Sequence, residues 1–252
     1  MTFARLYLSN DTTSKAAGSD RLADWLEDMT DVQVVRTSSR GAFYLEPMIE
    51  RDGPERRLAW TNLTVEDLPN VVGGRGGVPV DSIPYLAKQT RVTFANFGIT
   101  EPLALDEYQS RGGLKGLEAA LTLAPEAIIQ ELKVSLLRGR GGAAFPVWRK
   151  WEAARQTEAD EKYVVVNADE GDAGTYCDRM VIEGDPFRLI EGMLICAHAI
   201  GAAKGYIYCR QEYPAAARTI STAIKKADEA ELLELDGRTF SIEVILGAGA
   251  YV

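Results

Sequence analysis

The residues best suited to chemistry lie in two short runs. Gly139-Arg140-Gly141-Gly142-Ala143-Ala144-Phe145-Pro146, with Lys150 beyond it, sets three glycines within four positions. Such a run lets the backbone approach a ligand closely and leaves N–H groups to cradle a phosphate. Arg140 and Lys150 supply countercharge, and Phe145 offers a flat surface for an aromatic ligand. The run is neither a Walker loop nor a G-x-G-x-x-G fingerprint. The second run is Asn167-Ala168-Asp169-Glu170-Gly171-Asp172-Ala173-Gly174-Thr175. Its acceptors suit sugar or polyol hydroxyls, each charge-assisted bond contributing on the order of 1.5–3 kcal/mol. Asp169, Glu170 and Asp172 also leave open an oxygen-ligand cation site, or a plain solvated acidic loop. Together the two runs describe a site for a phosphorylated polyol or nucleotide.

The elements that position these runs read as α/β. Tyr163–Asn167 closes an apolar strand that begins at Lys162, and the second run follows it directly. A helix is expected over 125–137, another over 148–155, and one over 185–200. A second strand spans 205–210, a helix 214–230 and a last strand 240–246. Strands alternating with helices imply a mostly parallel sheet covered on both faces, with ligands at the carboxyl ends of the strands.

The first 85 residues read as a smaller α/β unit. Strands at 4–8 and 32–35 flank one helix over 14–28, whose apolar face carries Ala17, Leu22, Trp25 and Leu26. Runs 43–49 and 57–63 around Arg51-Asp52-Gly53-Pro54 suggest a hairpin, and Thr64 with Asp67 has capping-box spacing. Gly73-Gly74-Arg75-Gly76-Gly77 reads as an interdomain linker, because no apolar helix follows and Pro79 and Pro84 come soon after. The expected domains are therefore 1–85, a connecting helical segment over 86–130, and 131–252.

Composition narrows the function classes. In 252 residues, 37 acids against 28 bases give a net charge of −9, which argues against a nucleic-acid binder. No signal peptide is evident at the start, and the most apolar long window, 189–203, is too short and too interrupted to span a bilayer. Three cysteines without C-x-x-C spacing make neither a disulfide framework nor a zinc site, so no metal ligands are assigned and a reducing, cytoplasmic setting is expected. The lone His198 reads as a packed core residue, which excludes histidine triads.

The ordered motifs Gly139–Pro146, Lys150-Trp151, Asn167–Thr175, Asp178-Arg179, Glu183-Gly-Asp-Pro186, Gly205-Tyr-Ile-Tyr208, Glu212-Tyr-Pro214 and Gly247-Ala-Gly-Ala-Tyr251 resemble the flavin-bearing NADH-oxidising subunit family. That family includes the 51-kDa subunit of complex I, the diaphorase subunit of NAD-reducing hydrogenases and the beta subunit of NAD-dependent formate dehydrogenases. The resemblance implies a Rossmann-like domain binding FMN and NAD(H), with hydride transfer between nicotinamide and flavin and electron exchange with iron–sulfur clusters. It implies that Gly139, Arg140, Gly141, Gly142 and Lys150 hold the flavin phosphate side, and Asn167, Asp169 and Glu170 the ribityl and ring. Phe145 would flank the NAD(H) adenine, Asp172 would line the nicotinamide side, and Tyr251 would stand by the flavin.

Residues 1–85 resemble the thioredoxin-like [2Fe–2S] domain of some relatives. Where cluster-binding versions have C-x-G-x-C before a Glu-Pro, this chain has Ser39 and Phe43 around Gly41, then Glu46-Pro47. With no cysteine before Cys177, a cluster-less docking domain is expected, a pattern most similar to the formate dehydrogenase beta subunit. Partners implied are iron–sulfur subunits and a molybdenum- or tungsten-bearing catalytic subunit. Relatives continue past the position of Val252 into a half that carries a [4Fe–4S] cluster and the rest of the pocket, so this chain reads as part of a longer polypeptide. A hydrogenase or complex I subunit is the alternative within the class, and a non-catalytic assembly fragment the alternative outside it.

Overall fold

A computed structural model describes residues 4–172, 174–235 and 237–249. Two compact units form, one of Met1–Tyr108 with Met180–Asp185, the other of Gln109–Arg179 with Pro186–Val252.

In the first unit, β1 (Ala4–Ser9) leads through α1 (Thr12–Ala16) and α2 (Ser19–Glu27) to β2 (Val32–Thr37), which lies parallel to it. β3 (Ile49–Asp52) pairs antiparallel with β1, β4 (Arg57–Trp60) with β3, and a capped turn at Thr64 precedes α3 (Leu68–Val72). β5 (Val78–Pro79) completes the order β2-β1-β3-β4-β5, and α4 (Pro84–Ala87) follows. Leu6, Leu8, Leu22, Leu26, Ile49 and Leu68 form the core between sheet and helices.

Three local expectations differ from the structure. The helix expected over 14–28 is two helices, because Gly18 takes φ +106° between them while Asp11 caps the first. Trp25 is 41% exposed, since Leu22, Ala23 and Leu26 occupy the inner stripe of α2. The Gly73–Gly77 segment is folded onto β4 rather than linking domains: the Trp60 indole donates to the Arg75 carbonyl at 2.8 Å, and a Cβ on Gly77 would sit 2.5 Å from that ring. The unit accordingly continues to Tyr108, past the boundary expected near residue 85.

Helices α5 (Leu105–Ser110), α6 (Lys115–Leu121), α7 (Pro125–Ser135) and α8 (Val147–Gln156) precede β6 (Tyr163–Ala168). Then come α9 (Cys177–Gly184), α10 (Pro186–Ile200), β7 (Lys204–Cys209), α11 (Pro214–Glu229), a small hairpin of β8 (Glu234–Leu235) and β9 (Arg238–Thr239), and β10 (Ser241–Leu246). The order β10-β7-β6 is parallel throughout. α10 is the hub: it is mostly apolar and buried, and its Glu191 carboxylate accepts the N–H groups of Leu114 and Leu117 at 3.0 Å, tying down the start of α6.

Strand alternation puts Val164, Ala168, Ile207 and Cys209 inside. On the opposite face Tyr163, Val165 and Tyr208 are exposed, so within the described residues the sheet is not covered on both sides as expected. The sequence reading also has no helix at 177–184, where Pro186 at the start of α10 separates two helices. Leu136, expected on the apolar face of α7, terminates that helix in a left-handed conformation and is exposed. His198 is partly exposed rather than packed in the core, its Nε2 3.3 Å from the Leu123 carbonyl. No helix among the described residues is long and apolar enough to cross a membrane.

The first unit buries several acids. Glu46 is 8% exposed, and burial, reinforced by the Asp11 charge, pushes its carboxyl up to about 7 from an ordinary 4.5. Between those values the folded chain holds a proton that the unfolded chain has released, so stability falls as pH rises through the window. We expect a loss of roughly 3 kcal/mol from pH 4.5 to 7.5 in urea unfolding, and Glu46→Gln to flatten that slope. An unchanged slope in the variant would contradict the assignment.

Candidate functional site

The glycine run connects α7 to α8 as an exposed loop with a closed neck. Arg138 bridges to Pro146, the Gly139 N–H donates to the Phe145 carbonyl at 2.9 Å, and the Val147 N–H to the Leu137 carbonyl at 3.0 Å. The chain reverses through Gly142 at φ +99° and Ala144 at φ +50°. A Cβ on Gly141 or Gly142 would meet nothing within 4 Å, so both present bare backbone to open space. α8 starts directly after the neck with no acid in its first turn. Lys150 lies with its Nζ 5.8 Å from the centre of the Phe145 ring, and Lys133 and Arg149 stack on Trp148. A helix N-terminus ringed by cations and free glycine backbone is chemistry for an anion.

The carboxyl ends of the parallel strands make the second part. Ala168, Cys209 and Leu246 stand side by side in register, so the loops after β6, β7 and β10 leave the sheet together. The Gly247 N–H donates to the Cys209 carbonyl at 2.9 Å, and a Cβ there would lie 2.9 Å from the Tyr208 hydroxyl. Asn167 Oδ1 accepts the Asp169 N–H at 3.0 Å, which turns the chain out of β6. Asn167 and Asp172 are exposed and Asp169 is half-buried.

Glu170 is different. It is buried, and its two oxygens accept the N–H groups of Asp178 (2.9 Å) and Arg179 (3.1 Å) in the first turn of α9. Its own carbonyl accepts from the Arg210 guanidinium. Burial and the Glu170 charge raise the Asp178 carboxyl, and the same two causes push the Tyr213 hydroxyl up to about 12. Glu170, predicted to hold the ligand directly, is thus bonded to the protein's own backbone. Asp169, Glu170 and Asp172 do not assemble into the alternative cation site: no group of three or more His, Cys, Asp or Glu among the described residues could hold a metal.

The structure thus brings Asn167, Asp169 and Glu170 to one strand end, and Gly139, Arg140, Gly141, Gly142, Phe145 and Lys150 to one loop and helix start. Tyr251 lies outside the described residues. Two arginines given no role by the sequence, Arg179 in the first turn of α9 and Arg210 just past β7, also stand here. They flank Tyr213, at 5.7 and 5.2 Å from its ring, and Arg179 also lies 4.3 Å from the Tyr176 ring. The signal available for them was charge at a strand end and at a helix start.

A parallel α/β sheet with ligand-type loops at its carboxyl edge and an anion-suited glycine loop defines a nucleotide-binding class of protein. Residues 132–252 match the Nuo51 FMN-binding domain, Complex1_51K. Over 169 residues the chain is 44% identical to the NADP-reducing hydrogenase subunit HndC of Solidesulfovibrio fructosivorans, covering 66% of this chain and 34% of that one. Over 273 aligned positions it is 31% identical to the NAD-reducing hydrogenase HoxS subunit alpha of Cupriavidus necator, covering 98% of this chain and 44% of that one. A crystal structure of NAD+-reducing [NiFe]-hydrogenase in the H2-reduced state matches with a TM-score of 0.51 and 25% identity, over 99% of this chain and 44% of that one. The chain therefore spans less than half the length of these relatives.

Removing the Glu170 carboxylate should act first on stability. We expect Glu170→Ala to destabilise the protein by about 1–3 kcal/mol by leaving two buried N–H groups without acceptors. Hydrogen exchange should speed up at Asp178 and Arg179. Unchanged exchange and stability would assign Glu170 to ligand contact instead.

Proposed function

We propose that this chain is the FMN- and NAD(H)-binding part of a diaphorase-type subunit in an NAD-linked oxidoreductase. The observation that carries the reading is the glycine loop: bare backbone at Gly141 and Gly142 beside the start of α8, with no acid in that helix's first turn. That donor set fits a phosphate monoester. Gly139, Arg140, Gly141, Gly142 and Lys150 would hold it, Arg140 and Lys150 neutralising its charge. Asn167 and Asp169 would accept from ribityl hydroxyls, and Glu170 would keep their loop in place through α9. Phe145 would pack against the adenine of NAD(H), Asp172 would line the nicotinamide side, and Tyr251 would stand near the flavin.

When bound, the flavin supplies the redox centre that links hydride transfer from a nicotinamide to single-electron carriers. The protein's share is to align the two ring systems and exclude water from between them. No side-chain acid or base is required, in keeping with a chain that has one histidine, partly exposed and far in sequence from both runs.

Among complexes, we assign the chain to a formate dehydrogenase of the molybdenum or tungsten type, in a cytoplasmic setting. The support is the absence of cysteine before Cys177, with Ser39 and Phe43 at the positions of cluster ligands. Iron–sulfur and catalytic subunits would be its partners, and a [4Fe–4S] cluster would belong to a further C-terminal part. A hydrogenase diaphorase is the second reading, favoured by the alignment of 98% of the chain with a NAD-reducing hydrogenase subunit. Formate- against hydrogen-dependent NAD+ reduction by the purified complex separates the two.

The site reading is tested by titrating FMN and riboflavin into the protein and following flavin fluorescence. FMN should bind about 10- to 100-fold tighter than riboflavin, the worth of a charge-assisted phosphate site. Lys150→Gln should erase most of that difference. Equal affinity for the two flavins would remove the phosphate from this loop.

A further inference from the structure

The first unit contains a cavity of about 380 Å³ lined by Arg40, Arg56, Arg57 and Arg91 together with Val80, Asp81, Leu86 and Ile99. Four guanidinium groups around one space on a chain of net charge −9 call for a physical account. Arg40 and Arg57 are held in place from behind. Arg40 makes a bidentate pair with Glu50 at 2.7 and 2.8 Å, and Arg57 reaches Glu50 at 3.4 Å, Asp52 at 3.1 Å and the Gly98 carbonyl at 2.8 Å. Arg56 meets Asp81 only at 3.7 Å, with both side chains more than half exposed.

Arg91 is the anomaly. Its Nη2 donates to the Arg40 carbonyl at 2.7 Å, but its Nη1 is buried and has no hydrogen-bond partner among the described residues. Burial and the Arg40 charge both pull its guanidinium below the ordinary range. An anion in the cavity that Arg91 and Arg40 line would relieve the repulsion between the two guanidinium groups. Glu50 is the one deeply buried carboxylate set against the largely buried Arg40 and Arg57 and the partly buried Arg91, whereas Asp52 and Asp81 are more than half exposed. With Glu50 and Asp52 set against Arg40, Arg57 and Arg91, this end of the cavity keeps an excess of positive charge that an anion offsets.

We propose that this cavity binds a phosphate monoester, its dianionic head among Arg40, Arg57 and Arg91 and its apolar body against Val80, Leu86 and Ile99. Arginine forks match the oxygens of such a head, and a phosphate monoester carries close to two charges at neutral pH. The site lies entirely within residues 40–99 and does not depend on the flavin reading.

Calorimetric titration with phenyl phosphate, inorganic phosphate and benzoate tests it. Phenyl phosphate should bind one equivalent at this cavity, at least about tenfold tighter than benzoate and tighter than inorganic phosphate. Arg91→Gln and, separately, the surface variant Arg56→Gln should each weaken it severalfold, while Lys150→Gln leaves this binding unchanged. Inorganic phosphate binding as tightly as the ester would overturn the apolar half of the proposal. Absence of saturable binding, or binding lost in Lys150→Gln and kept in both arginine variants, would overturn all of it. The circular dichroism spectrum of Arg56→Gln should match that of the parent, so that lost binding there is not lost fold.

Discussion

The carboxylate of Glu170 accepts two backbone N–H groups from the start of α9, and the carbonyl of the same residue takes the Arg210 guanidinium from the end of β7. A buried charge is tolerable only with such partners, and here the carboxylate takes them from the first turn of α9 while Arg210, just past β7, holds the carbonyl of the same residue. The arrangement fixes where the chain leaves β6, how it enters α9 and how the β7 loop lies against it. These contacts anchor the loop at Glu170, one residue beyond Asp169 and three beyond Asn167. The positive end of α9 and the neighbouring Arg179 and Arg210 offset its charge. Tyr213 closes the arrangement, its hydroxyl held protonated by burial and by that same carboxylate.

In the first unit a network of the same kind occupies the place where the resemblance sets cluster cysteines. Asp11 accepts the Ser14 N–H at 2.8 Å with one oxygen and the Ser39 N–H at 3.0 Å with the other. The Ser39 hydroxyl in turn accepts from the Gly41 N–H at 3.3 Å, with Gly41 at φ +77°. Thr12 donates from both its N–H and its hydroxyl to Glu183, at 2.8 and 2.7 Å. The loop from Thr37 to Phe43 is thereby held by acids and hydroxyls, and Ser38 and Ser39 are almost fully buried. Burial inside this unit, with the Asp11 charge beside it, pushes the Glu46 carboxyl up to about 7 and ties the unit's stability to protonation.

Much of this was legible in the sequence, and the exceptions have physical causes. The parallel strands of the second unit announce themselves as short apolar runs, and α10 and α11 begin at Pro186 and Pro214, residues suited to the first turn of a helix. The tight reversal at Gly139–Ala144 was legible because three glycines in four positions mark a turn, and Gly142 takes φ +99° there. What local pattern could not show was long-range. Nothing near Gly77 says that the Trp60 ring will pack on it, and so a segment of β4's own neighbourhood resembled a linker. The backbone contacts of Glu170 were hidden because its partners, the amides of a helix eight and nine residues on, carry no side-chain signature. The arginine cavity was invisible for the same reason, its four members being scattered between residues 40 and 91.

Whether these loops build a site where a nicotinamide reduces a flavin, as proposed, is read most directly from the visible spectrum of the protein as isolated, recorded anaerobically before and after NADH, with the released cofactor identified by chromatography. The account predicts near-stoichiometric FMN and loss of the flavin's visible band on adding NADH. A protein that carries FMN whose spectrum NADH leaves untouched, or that carries no flavin and takes none up, would contradict it.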